Sequence, residues 1–299
     1  MTIDKNFYNE SSASKLGWDP TWFSEKYYDD KLTRAIKKWQ KDKGLTADGL
    51  CGPSTFRRLW TERQADIDNY QPKTCRYSNY IVYQGNFMPI EWDKVVLWSE
   101  DGGLVAHPGS YYDYSGRPQR KLRLFLNHWD VCLSSRSCQR VLDKRGISVH
   151  FLIDNDGTIY QTLDMQHGAW HAGSERVNRA SVGVEISNAY YTKHQSWYER
   201  NGFGERPLVD DAWVHGSKLG EHTGFYPIQI EALRKAIHKS AEIPYEAPKN
   251  QFGKTSTKYE QDVKYGSFSG FISHYHVSKN KIDCAGLDIV KLLEEVKDD

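Results

Sequence analysis

The sequence lacks a strong charge of either sign and a long apolar run. Its 299 residues carry 40 Lys and Arg against 39 Asp and Glu, which gives a formal net charge of +1. This even balance argues against nucleic acid as a partner, because proteins that bind nucleic acids usually carry clustered positive charge. No stretch approaches the roughly 18 apolar residues of a membrane helix, so we expect no membrane insertion.

Cysteines are also few and odd in number: Cys51, Cys75, Cys132, Cys138 and Cys284. This usage fits a reducing compartment or a metal ligand better than a disulfide scaffold. Cys132 and Cys138 could form a disulfide, and the sequence leaves that open. The N-terminal stretch MTIDKNFYNE has no basic start and no apolar core, so we predict no signal peptide.

Metal-binding residue types are concentrated near the other end of the chain. The stretch FISHYHVSKNKIDCAG, residues 271–286, contains His274, His276 and Cys284. Imidazole and thiolate are ligands that zinc prefers, and a catalytic zinc usually has three protein ligands and one open position. The best candidate for a ligand from elsewhere is His128, because the run LRLFLNHWD reads as a buried strand ending in polar residues.

Residues 1–62 are predicted to form a small all-α domain. The apolar residues of LTRAIKKWQ recur at the i, i+3, i+4, i+7 spacing of one helix face. Gly44 is a plausible C-cap, and the following Asp-Gly and Gly-Pro pairs indicate turns. Ser54 can then cap a second short helix that carries Phe56, Leu59 and Trp60.

This segment resembles a known binding module. The run AIKKWQKDKGLTADGLCGPSTFRRL is similar to the three-helix peptidoglycan-binding module found on cell-wall hydrolases, although Cys51 stands where that family more often has a bulky apolar residue. The resemblance implies bacterial peptidoglycan as a partner, and a helical domain without a ligand is the alternative. Residues 63–95 begin with a charged stretch and lack periodicity, so they are predicted to be a linker that ends near a short strand, YIVYQG.

Residues 96–299 are predicted to form an α/β domain. In ISVHFLIDNDGTIYQTL, alternating apolar residues are followed by the hairpin turn Asn155-Asp156-Gly157 and a return strand. RASVGVEISN indicates another strand, with Glu185 on the face opposite its valines. Amphipathic helices are predicted for PIQIEALRKAIHKSAE and LDIVKLLEEVK. Residues 190–224 form an insertion with little pattern.

Four segments of this domain resemble one enzyme family. NHWD, ISVHFLIDNDGTIYQTLDMQHGAWHAG, SVGVEISN and SHYHVSKNKIDCAG are similar, in order and spacing, to the type 2 zinc N-acetylmuramoyl-L-alanine amidases. Relatives of these enzymes are the peptidoglycan recognition proteins and the amidase-type phage lysozymes. The resemblance implies a central mixed sheet flanked by helices, with Zn²⁺ in a groove over the sheet. It also implies hydrolysis of the amide between N-acetylmuramic acid and the L-alanine of the stem peptide.

The resemblance assigns the metal ligands. His128 matches the family's first zinc histidine and His274 the second, while an alignment with shorter-loop members would place His276 there instead. Cys284, ten residues after His274, matches the third ligand, which is Asp or Cys in the family. We therefore expect Cys284→Ala to lose zinc and activity.

The resemblance also implies catalytic and substrate-binding roles. Glu185 matches an acidic residue that would act as general base. Many relatives have a lysine two residues before the third ligand, where it stabilises the oxyanion. Ile282 occupies that position here, so Lys281, one residue earlier, is the candidate, with Lys279 or the zinc itself as the alternatives. Residues expected to contact the substrate are Trp170, His171, His276 and Asn127.

Together these patterns predict a zinc amidase with a wall-binding module. A phage endolysin is the expected setting, held in the host cytoplasm before release to the cell wall, with an exported bacterial autolysin as the second option. We expect a monomer. The alternative function is a non-catalytic peptidoglycan receptor of the same fold, in which the third ligand would be missing. The paired carboxylates of a glycosidase have no signature here.

Overall fold

A computed structural model describes residues 3–67, 70, 75–238 and 243–297. Within them the α-helices are α1 Lys5–Leu16, α2 Asp30–Asp42, α3 Pro53–Ile67, α4 Ser135–Arg145, α5 Glu175–Ala180, α6 Gln195–Arg200, α7 Pro227–His238, α8 Gln261–Tyr265, α9 His274–Val277 and α10 Ile289–Lys297. The strands are β1 Tyr80–Tyr83, β2 Asn86–Pro89, β3 Val95–Leu97, β4 Tyr111–Tyr112, β5 Leu124–Trp129, β6 Phe151–Ile153, β7 Ile159–Gln161, β8 Gly168–Ala169, β9 Ser181–Ile186, β10 Leu208–Val209, β11 Trp213–Val214, β12 Ser217–Lys218, β13 His222–Thr223 and β14 Gly270–Ser273.

A six-stranded mixed sheet with the order β14-β5-β9-β6-β7-β3 organises the domain, as predicted. Only the pair β6–β7 is antiparallel within this sheet of described strands. Every residue of β5 and β9 is buried, which fits parallel strands covered on both faces. Because β14, β5 and β9 are parallel, their carboxyl ends meet at one edge of the sheet. At that edge His128 and Glu185 are register partners on adjacent strands.

The two N-terminal helices predicted from periodicity are present as α2 and α3, whereas α1 covers residues for which the sequence pattern predicts no helix. The buried side chain of Gln40 fixes the turn between α2 and α3. Its amide nitrogen donates to Asp48 Oδ1 at 2.8 Å and to the Leu50 carbonyl at 3.0 Å, while its oxygen accepts from the Gly49 N–H at 2.8 Å. Gly49 has φ of +80°, a conformation that favours glycine. Cys51 is fully buried in the helical core, so a thiol is tolerated there.

Helix α3 joins this domain to the rest of the molecule. Trp60 Nε1 donates to Ser137 Oγ at 3.1 Å, and Thr61 Oγ1 donates to the Val131 carbonyl at 2.6 Å. A single apolar cluster contains residues of α1–α3 and of α4, β6 and β7. The insertion 190–224 also contacts α3, since the Arg58 guanidinium lies over the Tyr191 ring. The N-terminal domain is therefore packed against its neighbour.

The segment 63–95 is more ordered than the linker prediction. It contains the end of α3, up to Ile67, and the antiparallel hairpin β1–β2, of which β1 is the predicted YIVY strand. Residues 68–69 and 71–74 lie outside the described residues. The Val82 N–H donates to Gln161 Oε1 at 2.7 Å, so the hairpin is held to β7. None of the described helices has the length and apolar character needed to cross a bilayer.

Asp154, just after β6, gives a test of the fold. Its Oδ1 accepts from the Ser135 and Asn155 N–H groups at 3.1 and 2.9 Å, whereas Oδ2 has no hydrogen-bond partner in the described ranges. Burial raises the pKa of Asp154 from 3.8 to about 7. A carboxyl whose pKa is raised on folding contributes stability that is lost as the pH rises towards that value.

We therefore expect the free energy of unfolding to fall between pH 5 and pH 7, by up to about 1.4 kcal/mol per pH unit from this residue. Asp154→Asn should reduce the slope, since the amide keeps an acceptor oxygen and cannot ionise. Urea unfolding at several pH values in this range measures the slope of the free energy of unfolding against pH. Asp42→Asn, at an exposed position at the end of α2, should keep the wild-type slope. An unchanged slope in Asp154→Asn would mean that this carboxyl does not ionise in the range.

Candidate active site

Three buried side chains converge at the sheet edge. His128 Nδ1 lies 3.0 Å from His274 Nδ1 and 3.0 Å from Asp283 Oδ2, and His274 Nδ1 lies 3.0 Å from the same oxygen. These three atoms form a triangle with sides of 3.0 Å, which we call the triangle. Bonds of about 2.0–2.1 Å in a tetrahedral zinc site place ligand atoms about 3.3 Å apart, which is close to these sides. Two imidazoles and a carboxylate are a donor set that zinc accepts. The residues therefore fit a catalytic metal site with one open position.

The chain brings these residues together from two places. His128 is near the end of β5, and His274 begins the short helix α9 directly after β14, which pairs with β5. Asp283 lies in the following loop, and the Tyr275 N–H donates to its backbone carbonyl at 3.2 Å. The site therefore depends on the parallel pairing of two strands that are far apart in sequence.

Electrostatics keep the triangle in a form that can bind a cation. Burial, followed by the neighbouring His274, lowers the pKa of His128 from 6.5 to about 3. For Asp283, burial alone would raise the pKa, but His274 and His128 hold it well below its ordinary value. A neutral imidazole and an ionised carboxylate are the forms in which these groups ligate metals.

The structure differs from the sequence prediction at the third ligand position. Cys284 is fully buried in the main apolar core and does not belong to the His128–His274–Asp283 group. Burial raises the pKa of its thiol, so the thiolate that would bind a metal is disfavoured. With Asp283 in the third position, Lys281 stands two residues before it, which is the spacing of many relatives.

His276, the competing candidate for the second ligand, is committed elsewhere. Its Nδ1 accepts from the Ser273 N–H at 2.9 Å, and its Nε2 lies 2.7 Å from the Ser256 carbonyl. Asn127 is also fully buried, and its amide donates to the Ile272 carbonyl at 3.0 Å. Both side chains are fully buried inside the fold, although Asn127 Oδ1 has no hydrogen-bond partner among the described residues, so the structure does not place them where a substrate could touch them.

Glu185 lies beside the triangle in a buried position. It is the register partner of His128, and its side chain is 6% exposed. Burial raises its pKa from 4.5 to about 8, although the nearby Arg57 opposes the shift. Arg57 Nη2 is 3.8 Å from Glu185 Oε1, and Glu185 Oε2 has no hydrogen-bond partner among the described residues. A carboxyl group with a pKa near neutrality can both accept and donate a proton.

The other side of the triangle opens into a cavity of about 270 Å³. Trp170, His171, His274, Arg145 and Lys281 are among its lining residues, so four of the predicted site residues line this cavity, all of those named except Arg145. His171 Nδ1 is 2.9 Å from His128 Nε2, and its Nε2 is 3.0 Å from Ser181 Oγ. The ring of His171 is therefore held from both sides.

Gly183 on β9 makes room for that ring, which gives a test of the site. A Cβ on Gly183 would lie 2.6–2.8 Å from three atoms of the His171 imidazole. We expect Gly183→Ala to displace His171, to lower the free energy of unfolding by about 1–3 kcal/mol and to reduce activity. Gly220→Ala is the control, because a Cβ there meets nothing within 4 Å. Urea unfolding and initial rates compare the two, and equal behaviour would contradict the tight fit.

A second buried cluster lies close by. Asp130, Cys132 and Cys138 bring one potential ligand atom each within 4.8 Å of one another. Both oxygens of Asp130 already accept hydrogen bonds, from the Cys132 and Asn188 N–H groups and from Ser187 Oγ. All five cysteines are free thiols in the structure. We therefore assign this cluster to the packing beneath the site.

Comparisons with protein families give two matches. The profile described as N-acetylmuramoyl-L-alanine amidase matches residues 118–283, which is more than half of the chain. A profile for a peptidoglycan binding domain matches residues 14–59. The first match includes all three members of the triangle and Glu185, and the second includes α2 and the first two turns of α3. No curated protein matches the chain.

Several solved structures are similar to parts of the chain. The Escherichia coli N-acetylmuramyl-L-alanine amidase AmiD, in complex with anhydro-N-acetylmuramic acid-L-Ala-D-gamma-Glu-L-Lys, is 20% identical over 43% of this chain and 50% of its own, with a TM-score of 0.28. A mutant endolysin from Bacillus subtilis is 23% identical over 32% and 62%, with a TM-score of 0.25. The Staphylococcus aureus hydrolase AmiA is 10% identical over 79% and 87%, with a TM-score of 0.37. The chain thus spans about half the length of the AmiD chain.

Proposed function

Because the chain belongs to the N-acetylmuramoyl-L-alanine amidase family, we propose that it hydrolyses the amide between N-acetylmuramic acid and L-alanine in bacterial peptidoglycan. The observation that carries this proposal is the His128–His274–Asp283 triangle with Glu185 beside it at the open edge of the sheet. Such an arrangement offers three ligands, an open position and a proton-transfer group, which are the parts that a metal-dependent amide hydrolase uses.

Zinc is the metal that we propose for this triangle, with His128, His274 and Asp283 as its ligands. A zinc ion bound there would polarise the substrate carbonyl and make water more acidic. Glu185 would take a proton from the attacking water and deliver it to the alanine nitrogen as the C–N bond breaks. Lys281 lines the cavity of about 270 Å³ that His274 also lines, and it would stabilise negative charge that develops on the carbonyl oxygen.

The N-terminal domain is proposed to bind the peptidoglycan wall. The match to a peptidoglycan binding domain over residues 14–59 supports this role. Holding the enzyme on an insoluble polymer raises the effective concentration of the cleavable bonds. An amidase joined to a wall-binding domain suits a phage endolysin, which must act quickly on an intact wall, and we propose that setting for a monomeric protein.

The test is a digest of purified peptidoglycan, assayed in parallel for new alanine α-amino groups and new reducing sugars. We expect amino groups without sugars, abolished by a chelator and restored by zinc. Reducing sugars without amino groups would mean that a glycosidic bond is cut. If neither product forms and the protein still sediments with the wall, the enzyme proposal is overturned in favour of a peptidoglycan receptor.

A further inference from the structure

Three adjoining cavities lie along the contact between the N-terminal helices and the amidase domain, and Arg145 lines all three. One, of about 370 Å³, is bounded by Tyr8 of α1 and by Pro53. The next, of about 180 Å³, is bounded by Pro53 and Arg57 of α3. The third, of about 270 Å³, contains His274. These cavities, which we call the interdomain groove, form a path from the wall-binding domain to the metal ligands.

The middle of the interdomain groove carries half-buried positive charge. Arg57, Arg145 and Lys281 line it, and the carboxylates near them are Glu185 and the metal ligand Asp283. Arg57 Nε is buried and has no hydrogen-bond partner in the described chain, and its nearest ion-pair contact is the 3.8 Å approach to Glu185. The Arg145 guanidinium is half-buried and donates no hydrogen bond within the described residues.

Both guanidinium groups are half-buried, and N–H donors that have no protein partner in such a position remain available to a ligand. A guanidinium also has a planar fork of donors that matches a carboxylate in two parallel hydrogen bonds. Two such groups, from α3 and from the end of α4, therefore form a receptor for a carboxylate. Their relative position is fixed, because α3 is held to the amidase domain through Trp60–Ser137 and Thr61–Val131.

We propose that the N-terminal domain supplies one wall of the substrate site, and that Arg57 and Arg145 together bind a carboxylate in the peptide part of the substrate. This inference rests on the proposed amidase function. The amide-linked lactyl group and the neutral sugars of the glycan offer no free carboxylate, whereas the peptide beyond L-alanine does. The wall-binding domain would then align the bond to be cut, in addition to tethering the enzyme.

The test uses two soluble substrates with the full-length, zinc-loaded protein. N-acetylmuramoyl-L-alanyl-D-glutamate has two free carboxylates, and its diamide has none. We expect the wild type to favour the dicarboxylate by about tenfold in kcat/KM, which corresponds to about 1.4 kcal/mol. Arg57→Met and Arg145→Met should each lose most of this preference through KM, measured as the ratio of kcat/KM for the two substrates, because removing a positive charge near Glu185 changes the turnover of both substrates alike. Arg57→Lys should recover part of it.

Arg63→Met is the matched control, because Arg63 is exposed on the same helix and its guanidinium lies 4.3 Å from the Trp22 ring, outside the groove. It should keep the wild-type preference. Equal rates on both substrates in the wild type, or a preference that survives both groove variants, would overturn the inference. Equal losses of kcat/KM on both substrates in the Arg57 and Arg145 variants would also overturn the inference, since they indicate a structural role.

A binding measurement separates this inference from the amidase proposal. Calorimetry with chelator-treated protein, which cannot turn over a zinc-dependent reaction, gives the dissociation constant of each compound. If the dicarboxylate binds about tenfold more tightly and the two variants lose that difference, the groove binds a carboxylate even where no hydrolysis is found. Equal binding of both compounds, with hydrolysis intact, would leave the amidase standing and remove the carboxylate site.

Discussion

Asp283→Ala is expected to lose the bound metal and to reduce amide hydrolysis by about a thousandfold, or about 4 kcal/mol of activation free energy. The reason is geometric, since Asp283 Oδ2 lies 3.0 Å from a nitrogen of each histidine and is the anionic member of the triangle. Without it, only the two neutral histidines would be left to hold the zinc ion that we propose. Metal content by atomic emission and initial rates on peptidoglycan measure the two effects.

Cys284→Ala is the matched control, one residue away. Cys284 is fully buried in the apolar core, so the variant should lose only about 1 kcal/mol of stability from the smaller side chain and should retain its zinc. The reverse result, with metal lost in Cys284→Ala and kept in Asp283→Ala, would restore the ligand set that the sequence alone predicted. Wall binding should be unchanged in both variants, because neither residue belongs to the N-terminal domain.

The sequence could place the site but not choose between two neighbouring ligands. Strand alternation and turn residues predict β5, β6, β7 and β9, and parallel strands bring His128 and Glu185 to one edge. Asp283 and Cys284 are adjacent in a loop without regular periodicity, so their side-chain directions depend on the loop's backbone path. One signal was available, because choosing Asp283 places Lys281 two residues before the third ligand, as in many relatives.

The contact between the domains could not be predicted from the sequence, for a different reason. Helix periodicity identifies which face of α3 is apolar, but it does not say what that face covers. Trp60 packs against Phe56 of its own helix, and it also donates to Ser137 of α4. In the same way Arg57 reads as an ordinary surface charge, and only the folded chain shows it 3.8 Å from Glu185. The 190–224 insertion had no pattern, yet its Tyr191 packs under Arg58.

Glu185→Gln is expected to lower kcat by about a hundredfold to ten-thousandfold while zinc content stays at the wild-type level. The amide has nearly the shape of the carboxyl group, so it keeps the packing of this buried position but cannot accept and return a proton. Burial raises the pKa of Glu185 to about 8, so in the metal-free protein the group is largely neutral at pH 7 and the neutral amide should change stability little. Activity and stability should therefore separate in this variant.

Glu199→Gln, an exposed position on α6, is the control for the loss of one carboxylate and should retain full activity. Rates on peptidoglycan, metal content and urea unfolding are compared for the two variants and the wild type. Full activity in Glu185→Gln would remove the proton-transfer role and leave Lys281 and the metal to carry the reaction. Loss of zinc together with activity would instead make Glu185 a support for the His128 side of the triangle, since the two residues are partners across β5 and β9. Retained zinc with lost turnover is the one result that a proton-transfer role predicts and a structural role does not.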